Sequence, residues 1–139
     1  MPATPNGPSL ALANGTAGMQ LGYGNPGDTP MTRQAAPAAL VASGTLTAAQ
    51  LGGALVTMNN GAGTAITLPL ATDMDAQFPN IGIDSAFDLS VLSLGAGAAT
   101  ITTNTGWTLV GLMVVPATNA LRFRARRTAV GAWTLYQLA

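Results

Sequence analysis

Leu121-Arg122-Phe123-Arg124-Ala125-Arg126-Arg127 decides the fold of this 139-residue chain. Apolar and basic residues alternate with a period of two, the repeat of a strand whose successive side chains point to opposite faces. Leu121, Phe123 and Ala125 are assigned to a core. Arg122, Arg124 and Arg126 fall on the other face, with Arg127 at the end of the row. Ala129-Val130-Gly131 follows as a turn that closes a hairpin, and a last strand runs over 132–138.

Outward from this run, Thr- and Val-rich segments alternate with Gly/Asn turns at the spacing of a sandwich or barrel. The pattern predicts strands over 38–46, 53–58, 64–68, 86–94, 98–103, 107–115, 119–127 and 132–138. Asn59-Asn60-Gly61 and Asn104-Thr105-Gly106 supply turn residues that tolerate positive φ. In 86–94, Phe87, Leu89 and Val91 alternate with Asp88 and Ser90. The alternation slips at Leu92 and Leu94, which predicts a bulge or a strand buried on both faces. One short helix is predicted over 70–78, with Thr72 as N-cap, Asp73 and Asp75 in its first turn, and Pro79 as its stop. The expected fold is all-β, a jelly-roll-like two-sheet sandwich with one short helix. Its expected core is Phe87, Leu89, Val91, Leu109, Leu121, Phe123, Trp133 and Leu135.

The composition changes at Pro37. Six of nine prolines fall in the first 37 residues, so residues 1–37 read as an extended Pro/Gly-rich N-terminal arm and 38–139 as the β domain. The arm's apolar anchors are Leu10, Leu12, Met19, Leu21, Tyr23 and Met31. They are candidate contacts to another protein chain, with folding back onto the chain's own domain as the alternative.

The chain contains no His, Cys, Lys or Glu; its charges are five Arg and five Asp. Ser/His/Asp and Cys/His nucleophile systems, Cys/His zinc sites and lysine Schiff-base chemistry are therefore closed to it. The reading is a non-enzymatic protein with no catalytic residue, no cofactor and no metal site. Charged residues make up 7% of the chain and the net charge is zero. Such surfaces associate, which points to a surface covered by partners. The opening MPATPNGPSL has neither a basic n-region nor a long apolar h-region, so synthesis in a cytoplasm without an export signal is expected. The absence of an apolar run of ~18 residues predicts no membrane span.

Three further patterns resolve to structure rather than chemistry. Asp73, Asp75 and Asp84 match positions 1, 3 and 12 of a calcium loop, but Phe78 stands where Gly is required and Pro79 follows it. Helix capping accounts better for Asp73 and Asp75. The letters GxGxxG occur over Gly22–Gly27, where Pro26 and Pro30 forbid the helix that a dinucleotide site needs. Trp107, Trp133 and Tyr136 read as sheet-packing residues before they read as a sugar platform. The row Arg122, Arg124, Arg126 and Arg127 remains as a candidate protein interface, because a guanidinium pairs with carboxylates through a planar fork. Neutral net charge and the lack of Lys argue against nucleic acid as its partner.

The segments LTAAQLGGALVT (46–57), ITLPLATDMDAQFPN (66–80), FDLSVLSL (87–94), ATITTNTGWTLVG (99–111) and RFRARRTAVGAWTLYQL (122–138) together resemble small capsid cement (decoration) proteins of tailed phages. The resemblance covers about residues 45–138, and TGWTLVG and GAWTLYQL are its most specific parts. It implies a jelly-roll-like fold, self-association (a dimer before a trimer) and binding to the major capsid protein. It places the chain on the capsid exterior of a virion after synthesis in the host cytoplasm, and it carries over no catalytic residue. The alternative is a receptor- or glycan-binding module of a phage tail fibre or spike, which exposed aromatics at Trp107, Trp133 or Tyr136 would favour.

Overall fold

A computed structural model describes residues 31–139 and the backbone of Met19–Gln20. The chain divides into two compact units, Met1–Ala35 and Ala36–Ala139. In the first, β1 (Met19–Gln20) pairs antiparallel with β2 (Met31–Thr32). This short ladder gives the described part of the Pro/Gly-rich stretch a regular pairing. Of the arm's anchors, Leu10, Leu12, Leu21 and Tyr23 lie outside the described residues, and Met19 is described in its backbone alone. The Met31 side chain is 63% exposed.

The second unit begins with β3 (Ala38–Leu40), β4 (Gly44–Thr45), α1 (Ala48–Gly52), β5 (Leu55–Met58), β6 (Thr64–Thr67) and α2 (Ala71–Gln77). It continues with β7 (Ala86–Ser93), β8 (Ala99–Thr102), β9 (Trp107–Val110), β10 (Val114–Val115), β11 (Ala120–Ala129) and β12 (Ala132–Gln137). The strands form a six-stranded sheet, β3-β5-β7-β11-β12-β9, and a four-stranded sheet, β10-β8-β6-β4. The expected all-β two-sheet sandwich is present. From β3 to β10 successive strands alternate between the two sheets, so the chain coils around the core. Neighbouring turns of that coil pair in parallel: β3 with β5, β5 with β7, β4 with β6, and β6 with β8. β12 and β9 are also parallel. A jelly roll joins antiparallel strands through Greek keys. The coil, closed by the antiparallel β7-β11-β12 meander, connects the sheets in its place.

Turns of the coil stack backbone on backbone at one corner. Gly61-Ala62-Gly63 precedes β6 and Gly95-Ala96-Gly97 precedes β8, and Thr64 lies beside Ala99 in the ladder that follows. A Cβ added at Gly97 would overlap the Ala62 backbone, whereas one at Gly61 would meet open space. Asn60 closes this corner with its side chain. Its Nδ2 donates to the Val41 carbonyl at 2.7 Å, and its Oδ1 accepts from the Ala62 amide at 2.9 Å. The expected positive φ is therefore not used here; it occurs at Gly106 (89°) and Gly131 (70°), at the ends of the other two turns.

Both sheets contribute to one core. Val56, Met58, Leu89, Val91, Phe123, Trp133 and Leu135 come from the larger sheet, and Ile66, Ala99, Ile101 and Val115 from the smaller. Phe87, Leu109 and Leu121 pack against it half-buried. The alternation in β7 does not slip: Leu89, Val91 and Ser93 face inward and Leu94 is 53% exposed. A hydroxyl occupies the third inward position, and its cost is met because Ser93 Oγ donates to the Gly97 carbonyl at 2.7 Å. The irregularity lies instead between Arg127 and Ala129, opposite β12.

Helix α2 matches the expected helix, but its N-cap is Leu70 without a side-chain bond, rather than Thr72. Helix α1 is a second helix, started by a capping box. Thr47 Oγ1 accepts from the Gln50 amide at 3.1 Å, and Gln50 Oε1 accepts from the Thr47 amide at 2.9 Å. The single strand expected over 38–46 breaks at Val41–Ser43. That expected over 107–115 breaks at Gly111, whose φ of 98° no β-strand residue adopts.

Candidate protein interface

Strand β11 lies between β7 and β12, and its alternation sorts the arginines from the core. Phe123 and Ala125 are fully buried, while Arg122, Arg124 and Arg126 stand on the outer face. In the ladder, Arg124 lies opposite Asp88 and Phe123 opposite Leu89, so the inward apolar pair fixes the outward charged one. Arg124 grips Asp88 with both prongs: Nε donates to Oδ1 at 2.6 Å and Nη2 to Oδ2 at 3.0 Å. Arg122 reaches the same Oδ2 diagonally through Nη2 at 3.3 Å. The Arg124 bonds hold the Asp88 carboxyl below its ordinary value, and Asp88 in turn raises Arg124. Arg126 donates to the Tyr136 hydroxyl at 3.2 Å and is ion-paired with Asp84.

Arg127 leaves this row. By the alternation it shares the inner face with Phe123 and Ala125, opposite Trp133 at the end of the sandwich, and only 13% of its side chain is exposed. There its Nε donates to Asp75 Oδ1 at 2.9 Å and its Nη1 to the Ile81 carbonyl at 2.8 Å. Asp75 also accepts from Trp133 Nε1 at 2.9 Å and from the Gly131 amide. Burial pushes the Asp75 carboxyl up, but the bonds from Gly131, Trp133 and Arg127 outweigh it and hold it below the ordinary value. Asp75 therefore ties α2 to the β11–β12 hairpin. It does not cap the helix, as had been expected from its place in the first turn.

The sequence singled out the arginines and missed their partners. Asp88 and Asp84 lie 36 and 42 positions from Arg124 and Arg126, so only the folded chain brings them together. One signal was available: Asp88 occupies an outward position of its strand, between the inward Phe87 and Leu89. Asp73, Asp75 and Asp84 point to separate surroundings, and among the described residues no three carboxylates converge as metal ligands.

The rest of the outer face is poor in charge. Ala39, Thr57, Leu92 and Ala120 line up across four strands, and Leu55, Ser90 and Arg122 across the next row. Val110, Leu112 and Val114 add exposed apolar side chains around β9 and β10, each an edge of its sheet. Trp107 and Trp133 are 8% and 1% exposed, and their indoles touch at a centroid distance of 5.8 Å. Trp107 Nε1 donates to the Pro69 carbonyl at 2.7 Å. An open groove of about 710 Å³ beside α1 and α2 is lined by Leu46, Ala48, Leu70, Asp73, Gln77 and Asn104, a set with one ionisable side chain. The outer face thus presents guanidinium donors held in place by carboxylates. No protein-family model, curated protein or solved structure matches this chain.

Proposed function

We propose that this chain is a non-enzymatic structural protein of a phage virion, which binds the outside of the capsid and cements neighbouring major capsid subunits. The observation that carries the proposal is the exposed outer face of the six-stranded sheet. Its arginines are braced by Asp84 and Asp88 amid Ala, Thr, Ser and Leu side chains, in a chain without His, Cys, Lys or Glu. Braced guanidiniums lose less side-chain freedom on docking than free ones, and a face with little net charge loses little hydration. The resemblance of residues 45–138 to cement proteins supports the same reading. In it the sandwich is the rigid body, its sheet face meets the major capsid protein, self-association links adjacent capsomers, and the N-terminal arm adds a further anchor. Repetition on a lattice raises the effective concentration, so that no single contact has to be tight.

The glycan- or receptor-binding alternative needs an exposed aromatic platform. Both indoles are buried, and the Tyr136 hydroxyl is taken up by Arg126, which weighs against it. The test is the copy number per particle, read by quantitative gel of virions of the phage that encodes the chain. Hundreds of copies, removable from otherwise intact capsids and able to rebind, are expected. A handful of copies located on the tail would overturn the proposal in favour of the alternative.

A further inference from the structure

We propose that Arg122 is a docking point for a carboxylate of a protein partner, within a shallow sheet-face site that takes an extended acidic segment. This deepens the reading of the chain as a binding component and rests on it. The argument begins with a charge count on the outer face. Among the described residues Asp84 pairs with one guanidinium, that of Arg126, and Asp75 with one, that of Arg127, but Asp88 is shared by two. Arg124 occupies both oxygens of Asp88 in line, at 2.6 and 3.0 Å, and leaves Arg122 a single diagonal bond at 3.3 Å. The trio thus carries one positive charge in excess. The Arg122 side chain is 60% exposed, and its remaining N–H donors have no other acceptor among the described residues. One further carboxylate would take charge-assisted bonds from the free N–H groups of Arg122 and leave two guanidiniums facing two carboxylates.

The surroundings select the form of the partner. Arg122 lies opposite Ser90, and Ser90 opposite Leu55; Leu92 stands two residues along β7 on the same face, opposite Ala120. These short or half-buried side chains occupy the rows beside the guanidinium. An extended segment with alternating acidic and apolar residues can lay its carboxylate on Arg122 and its apolar side chains on Leu55 and Leu92. A phosphate backbone is the weaker fit, because the trio offers one uncompensated charge where a nucleic acid presents a row of them.

The test uses the full chain, labelled with nitrogen-15, and titrates it with a blocked Leu-Glu-Leu-Glu-Leu peptide and its Leu-Gln-Leu-Gln-Leu counterpart. The acidic peptide is expected to shift the Arg122 Nε–H resonance together with the amides of Leu55, Ser90 and Leu92, saturably, and the Gln peptide is not. Arg122→Gln should weaken the acidic peptide about fivefold, and Arg122→Lys, which keeps the charge but not the fork, by less. Arg33→Gln should leave binding unchanged. Arg122 is exposed, so each variant should retain the parent's spectral dispersion. Equal response to the two peptides, or undiminished binding by Arg122→Gln, would overturn the inference. So would a single-stranded oligonucleotide that displaces the acidic peptide from Arg122. The two proposals fail separately: rebinding to capsids without a preference for the acidic peptide removes this one alone, and the reverse result removes the capsid role alone.

Discussion

The indole Nε1 of Trp133 donates to Oδ1 of Asp75 at 2.9 Å across 58 positions of sequence. The same oxygen receives Arg127 Nε at 2.9 Å, while the other accepts the Gly131 amide. One carboxylate on a seven-residue helix thus fixes the tip of the β11–β12 hairpin and the orientation of a core tryptophan.

Asp75→Asn should therefore be costly. The amide cannot accept at both of its ends, and it leaves the mostly buried Arg127 without its counter-charge. A loss of about 3 kcal/mol is expected, read by urea denaturation at neutral pH. The pH dependence carries a sign. The Asp75 carboxyl is held below its ordinary 3.8, so its contribution is fully present above that value and is lost as pH falls through and below it. The parent should lose stability over that acid range, and Asp75→Asn should lose less. An identical acid limb in both proteins would show that Asp75 is not the linked group.

Phe123 is fully buried between the two sheets, directly opposite Leu89. Phe123→Ala should cost about 3–5 kcal/mol, enough to unfold a domain of ordinary stability. A melting temperature within a few degrees of the parent would remove Phe123 from the core.

Gly61→Ala and Gly97→Ala form a contrasting pair, one from each of the two Gly-Ala-Gly corners. A methyl at Gly61 meets open space, and one at Gly97 falls on the Ala62 backbone. Gly61→Ala should change stability by no more than about 0.5 kcal/mol, whereas Gly97→Ala should cost about 2 kcal/mol or more. Equal effects in thermal melts would mean that the turns do not stack at this corner.

Thr118 has a φ of 55°, a conformation that crowds a β-branched side chain. Among the described residues its hydroxyl bonds only the neighbouring Ala117 carbonyl. Thr118→Gly should raise stability by about 1 kcal/mol, as released strain exceeds the added chain entropy. A lower unfolding midpoint in the variant would refute this.

What could be read in advance followed from local chemistry. The alternation around Phe123 gave β11 its inner and outer faces, and Pro79 placed the end of α2. Thr47 and Gln50 carry a capping-box signal for α1 that the stronger strand pattern before it masks. Leu92 and Leu94 misled because a strand can face two leucines outward when Ser93 finds a carbonyl inside. Pairing was the unreadable part. The alignment of Ala38 with Val56 and of Val56 with Val91 is a property of the coil, not of any window of sequence. The carboxylates that brace the arginines come from the strand and the loop that the coil lays beside them.

The strand order also makes the β domain mechanically asymmetric. β3, at its N-terminal end, borders β5 alone, whereas β12, at its C-terminal end, is held between β11 and β9. A pull on the N-terminal side strips one short ladder of three residue pairs and leaves the other five strands of that sheet in place. A pull on the C-terminal side has to shear two ladders together and drags Trp133 from the core. Tension that enters through the N-terminal arm would thus be released by a yielding first strand, while the rest of the sandwich keeps its shape.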